Sequence, residues 1–168
     1  MTVRTLVLLR HAKAETPGDL PDAERRLTKR GQADAVAAGT WLAAEGLRPD
    51  LVLCSPAART RQTWHGVAMG LGDADPEAPG PDMRYEHNLY YGGRTEVVDL
   101  LRAVPEGTGT VLVVGHNPIM SDVSILLHPD SGDDGLKTCG LAVHRADGPW
   151  SQTEPDSMEI VARHTARG

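Results

Sequence analysis

The chain has 168 residues, of which 40 % are apolar and 24 % charged, with a formal net charge of −6. That size fits one domain (1–168) able to bury a real core, and the acidic balance disfavours a nucleic-acid partner, whose phosphates call for a basic surface. With no Phe and only 4 % aromatics, the core must come from Leu, Val, Ala and Ile, as in a parallel sheet covered by Ala-rich helices.

The opening stretch, MTVRTLVLLRHAKAE, holds an apolar run, Leu6 to Leu9, too short for a secretion signal or a membrane span. The expectation is a cytoplasmic protein with no membrane partner. Thr5 to Leu9 reads as a strand buried on both faces. After a polar loop with Pro17, Gly18 and Pro21, Thr28 is placed to cap a helix running to about Glu45. Ala33, Val36, Ala37, Thr40, Trp41 and Ala44 share one face of it, and Gly46 ends it. Leu51 to Cys54 is a second buried strand. Ser55 and Pro56 read as the cap and first position of a helix to about Met69. Gly72 to Asp82, rich in Gly, Pro and acid, reads as an exposed loop, and Met83 to Glu86 as a short strand. Thr95 caps a helix that Pro105 closes. Val111 to Val114 is the third clear strand. Asn117-Pro118 opens a helix through Leu127, and Pro129 to Gly135 is a polar loop. Leu141 to His144 and Met158 to Ala162 are late strands, read as antiparallel. Alternating strands and helices predict a three-layer α/β/α sandwich around a mainly parallel sheet. Cys54 and Cys139 form no C-x-x-C pair and read as buried free thiols.

Each of the three best strands ends by releasing polar or basic residues. The first delivers Arg10 and His11. The second delivers Ser55 and, one helical turn later, Arg59. The third delivers Gly115, His116 and Asn117. Ligands of open α/β sheets bind beyond the carboxyl ends of the strands, so parallel strands would gather two histidines and two arginines in one pocket. Forked guanidinium donors and helix N-termini near Ser55 and Asn117 suit phosphate oxygens. A neutral imidazole can attack phosphorus to give a phosphohistidine. Taken singly these motifs are weak; their threefold repetition on one sheet edge carries the reading. The remaining histidines, His65, His87, His128, His144 and His164, show no metal-ligand spacing, and neither a metal nor a cofactor is expected.

Leu8 to Lys13 (LLRHAK) resembles the Arg-His-Gly signature of the histidine phosphatase superfamily, which includes the cofactor-dependent phosphoglycerate mutases. Ser55 to Thr63 resembles its second motif and Val114 to Pro118 its third. Asp22, Arg25, Leu27, Thr28, Gly31 and the stretch Thr138 to Val143 are similar to segments of the short SixA-like phosphohistidine phosphatase branch. The resemblance implies a phosphoglycerate-mutase-like fold and a metal-independent phosphatase with His11 as nucleophile. It implies that Arg10, Arg59 and His116 bind the phosphoryl group, with His116 protonated or donating in the transition state. Ser55 and Asn117 are further phosphate-binding candidates, and Lys13 could add positive potential at the rim. Ala12 stands where the signature has Gly. Many larger members use a carboxylate as proton donor, for which Glu86 is the candidate here, whereas the SixA-like branch does without one. A phosphorylated histidine on a protein is the expected substrate, because the chain has little room for a capping insertion. A small phosphate ester, a mutase reaction, a zinc hydrolase and a non-catalytic phosphate-binding or protein-interaction domain are the alternatives.

Overall fold

In the computed structural model, which describes residues 2–131 and 135–168, the continuous apolar runs form the inner strands of one sheet. β1 is Val3–Arg10, β2 Leu51–Cys54, β3 Asp82–Tyr85, β4 Thr110–Gly115, β5 Gly140–Asp147 and β6 Glu159–Thr165. Their order across the sheet is β3-β2-β4-β1-β5-β6. β3, β2, β4 and β1 pair in parallel, while β5 runs against both its neighbours. The late strands are therefore antiparallel, as expected.

The sheet is mixed α/β with helices on both faces, which is why its inner strands are apolar at every position rather than at alternate ones. Val7, Leu9, Val52, Cys54, Leu112 and Val114 face α1 (Lys29–Ala44) and α2 (Ala58–Ala74). Leu6, Leu8, Leu51, Leu53, Val111 and Val113 face α4 (Arg94–Arg102), α5 (Ile119–Leu127) and Trp150. A one-turn helix, α3 (Asn88–Tyr91), precedes α4 and was not anticipated.

Several boundaries differ from the sequence reading. Thr28 does cap α1, its hydroxyl accepting from the Gly31 amide at 2.9 Å, and Gly46 ends it at φ +69°. The buried face, however, is Gly31, Asp34, Ala35, Ala38, Gly39 and Leu42, while Ala33, Thr40 and Ala44 are exposed. The reason is close helix packing. A Cβ at Gly39 would fall on the Val67 carbonyl, and one at Gly70 on the Val36 carbonyl. Two helices packed through glycine backbones bury their smallest residues, so larger apolar side chains mislead. α2 starts after Ala57, not at Ser55-Pro56, because the Thr60 hydroxyl turns back onto the Ser55 and Ala57 carbonyls, both at 2.8 Å. It also continues to Ala74, so the exposed loop begins at Asp75. β3 starts one residue earlier than expected, and Gly93 rather than Thr95 stands at the start of α4. α5 begins at Ile119, with the Asn117 carboxamide accepting from the Ser121 amide at 3.2 Å. Of the expected polar loop Pro129 to Gly135, residues 132–134 lie outside the described residues.

Register places the site. Arg10 pairs with Gly115 across β1 and β4, and Cys54 with Val114 across β2 and β4. The next residues, His11, Ser55 and His116, therefore leave the sheet side by side.

Candidate active site

His11 follows β1 and is held by backbone on every side. Its amide donates to the Gly115 carbonyl at 3.0 Å, and its carbonyl accepts from the Cys139 amide at 3.1 Å. The next amide, Ala12, donates to the Thr63 hydroxyl on α2 at 3.0 Å. Ala12 is fully buried in the core beneath, so the position where the family signature has Gly tolerates a methyl group. The imidazole Nδ1 lies 2.8 Å from the Ala12 carbonyl. A carbonyl only accepts, so Nδ1 carries the ring proton and Nε2 keeps the lone pair.

A cleft of about 280 Å³ opens over this ring, lined by Arg10, Lys13, Arg25, Arg59, His116, Asn117 and others. The His11 and His116 ring centroids are 5.4 Å apart. Arg10 Nη1 donates to the Leu136 carbonyl at 3.1 Å. Arg59 is gripped by Asp22, through Nη1 to the main-chain carbonyl at 2.8 Å and Nη2 to the carboxylate at 2.9 Å. Arg10 Nε, Arg59 Nε and His116 Nδ1 are buried without a partner among the described residues. Buried polar atoms are nearly always satisfied. Three such atoms on three residues lining one cleft make a donor set fit for an oxyanion.

The surroundings set the charge states. Burial, reinforced by the Arg59, Arg10 and Arg25 charges, pushes His11 down to about 4, against the smaller opposing pull of the Ala12 carbonyl. Burial and the Arg59 and His11 charges push His116 down to about 3. Both rings are neutral at pH 7. With the ring neutral, a donating role for His116 uses a neutral N–H. Asp22 is held down to about 2, chiefly by the hydrogen bond from Tyr90 and then by Arg59 and Arg25.

Arg10, His11, Arg59 and His116 converge as the strand ends require, and Lys13 lines the rim, exposed. Ser55 is fully buried and does not line the cleft; its hydroxyl lies 2.7 Å from His116 Nε2. Asn117 lines the cleft, but its carboxamide is engaged, donating to the Leu136 carbonyl at 2.7 Å and accepting from Ser121. Glu86 is half-buried after β3, its amide donating to the Cys54 carbonyl at 2.9 Å, and is not among the residues lining the cleft. No role was read for Arg25, Thr138 or Asp22; only their likeness to family segments marked them. His144, read as non-catalytic, is fully buried between the Ser124 hydroxyl at 2.8 Å and the Met158 carbonyl at 2.9 Å. Among the described residues no cluster of three His, Cys, Asp or Glu side chains could hold a metal ion. No helix among them is long and apolar enough to cross a membrane.

Known proteins resemble this chain in sequence and fold. The profile of the histidine phosphatase superfamily (branch 1) matches residues 6–79. An uncharacterised protein of Mycobacterium tuberculosis is 36 % identical over 168 residues, spanning 95 % of this chain and 100 % of that one. A solved chain of Nakamurella multipartitia, assigned as the phosphohistidine phosphatase SixA, is 32 % identical with a TM-score of 0.85, covering 99 % of this chain and 98 % of its own. One from Agrobacterium tumefaciens with the same assignment is 30 % identical with a TM-score of 0.78, covering 98 % and 99 %. The sheet order, the paired histidines at its edge and these likenesses agree: the chain belongs to the histidine phosphatase superfamily and has its phosphoglycerate-mutase-like fold.

Proposed function

We propose that the protein hydrolyses phosphohistidine on other proteins through a phospho-His11 intermediate, with no metal in the reaction. The observation that carries this reading is a neutral imidazole with Nδ1 locked on a carbonyl, facing a cationic cleft that no carboxyl group among the described residues lines. The His11 Nε2 lone pair attacks phosphorus as the bond to the leaving nitrogen breaks. Water then attacks the phospho-His11 phosphorus, releasing phosphate and restoring Nε2. Arg10, Arg25 and Arg59 supply N–H donors to the equatorial oxygens, where charge grows in the transition state. We assign the Ser55 proton to His116 Nε2, 2.7 Å from the hydroxyl. That leaves the His116 proton on Nδ1, free to donate to the phosphoryl group.

The leaving group decides the substrate class. An alkoxide needs a strong acid beside it, whereas imidazole leaves readily and takes a proton from solvent. Asp22, the carboxylate bound to Arg59, stays ionised at neutral pH and cannot serve as that acid. The SixA assignment of the Nakamurella and Agrobacterium proteins supports the same substrate.

The test is rapid mixing of the enzyme with a labelled histidine-phosphorylated protein, an aryl phosphate and a sugar phosphate, followed by alkaline quench. Acid-labile label at His11, its loss in His11→Ala, and fastest turnover of the phosphohistidine protein are expected. Activity should survive a chelator. Glu86→Gln should change turnover by no more than about twofold, as for a substitution away from any site. Turnover surviving in His11→Ala without trapped label would overturn the mechanism. Sugar phosphate hydrolysed as fast as phosphohistidine would overturn the substrate class.

A further inference from the structure

Asp22 sits in a 3-10 turn, Asp22–Glu24, in the loop between β1 and α1. It does not line the cleft, yet it joins two residues that do, Arg59 and Arg25, to Tyr90, whose ring packs on His116. Oδ2 accepts from Arg59 Nη2 at 2.9 Å and from the Tyr90 hydroxyl at 2.7 Å. Oδ1 accepts from Arg25 Nε at 3.1 Å, and the Asp22 carbonyl accepts from Arg59 Nη1 at 2.8 Å. These partners come from different elements, α2 for Arg59 and α3 for Tyr90.

We propose that Asp22 is a positioning residue, which orients Arg59 and Arg25 toward the phosphoryl group and holds Tyr90 against His116. The proposal rests on reading the cleft as a phosphoryl site. The end-on grip on both Nη atoms fixes the plane of the Arg59 guanidinium. Its Nε, buried without a partner, and the remaining Nη hydrogens stay available for substrate oxygens. The Arg59 side chain is only 7 % exposed, so it cannot swing into water if the grip is lost. Arg10, Arg25 and Arg59 line the same cleft and repel one another. An anion behind two of them offsets that repulsion without occupying the pocket. The same carboxylate anchors Tyr90, whose ring stands edge-on to His116 with centroids 5.5 Å apart. Arg59, Arg25 and the ring beside His116 are thus fixed from one point.

Simple electrostatics predicts the opposite result from positioning. Removing a negative charge near a cationic cleft should tighten anion binding if only net charge matters. If Asp22 positions the arginines, binding weakens although the cleft becomes more positive. The experiment measures inorganic phosphate binding by calorimetry, turnover of the phosphohistidine protein, and thermal midpoints. It uses the full-length wild type, Asp22→Ala, Asp22→Asn and Tyr90→Phe. Asp22→Ala should weaken phosphate about tenfold, the loss expected from misplacing one charge-assisted hydrogen bond. kcat should fall by a larger factor than KM rises, because the misplaced donors act on transition-state charge. Asp22→Asn, which keeps an acceptor oxygen, should recover part of the loss. Tyr90→Phe, which keeps the ring but frees it, should lower kcat with little effect on phosphate. Unchanged or tighter phosphate binding in both folded Asp22 variants, with kcat retained, overturns the proposal. Should Asp22→Ala fail to fold, Asp22→Asn carries the phosphate comparison and Tyr90→Phe the kcat comparison. A wild-type chain that binds no phosphate overturns the reading of the cleft itself, and the proposal with it.

Discussion

Acidification is the most direct probe of the His11 environment. An ordinary histidine, titrating near 6.5, is about 90 % protonated at pH 5.5. His11, held at about 4 by burial and the surrounding arginines, would be only about 3 % protonated at the same pH. The nucleophile should therefore stay competent well into the acid range. Nitrogen-detected NMR of the free enzyme, from pH 7.5 to 4, should show the Nδ1–H tautomer fixed by the Ala12 carbonyl and no protonation of His11 before about pH 5. Free enzyme is the proper state, since a bound phosphate raises the pKa of nearby imidazoles. Stability carries the same signature. Between pH 6.5 and about 4 the unfolded chain binds a proton at His11 that the folded chain refuses. Stability is thus unaffected above pH 6.5 and lost as pH falls through that window. For His11, which is 9 % exposed, the loss is at most about 3–4 kcal/mol, at ~1.4 kcal/mol per pH unit. His11→Ala should remove the His11 share of this loss, while His116, held at about 3, keeps its own. A titration midpoint at or above 6, or an Nε2–H tautomer, would refute the neutral-nucleophile reasoning.

Thr63→Val leaves the Ala12 amide buried without an acceptor. It should destabilise by about 1–3 kcal/mol in urea unfolding and slow phosphoenzyme formation, because the His11 peptide loses an anchor. Ser55→Ala removes the His116 Nε2 partner. It should lower kcat while leaving the yield of phospho-His11 at long mixing times intact, a split that quench-flow resolves. Gly39→Ala places a methyl on the Val67 carbonyl and forces α1 from α2, at about 1–3 kcal/mol or more. Gly72→Ala, near the end of α2 with open space around it, should instead hold or raise the unfolding midpoint, by up to about 1 kcal/mol.

Much of the site was legible because strand ends are local. An apolar run that stops at Leu9, Cys54 or Val114 and turns polar shows its buried length and its exit point in one reading. Parallel register then does the rest, since Arg10 pairs with Gly115 and Cys54 with Val114. The helix termini and the face of α1 were less legible. Thr60 closes the turn before α2 with a side chain bonded back three and five residues. The buried stripe of α1 is chosen by a partner helix, and glycine carries no hydrophobic signal of its own.

Composition, three strand-to-polar transitions and the motif residues by themselves determined an α/β layered fold and the meeting of His11, His116, Arg10 and Arg59. These follow from short-range patterning, which every strand carries in its own residues. Only the tertiary structure decided the charge states, the tautomer of His11, the buried rather than ligating place of Ser55, and the exclusion of Glu86 from the cleft lining. It alone also brought Asp22 to Arg59, Arg25 and Tyr90, which stand 37, 3 and 68 residues away in the chain. Desolvation and Coulomb forces act through space, so a residue's acidity and partners are set by neighbours that sequence order does not reveal.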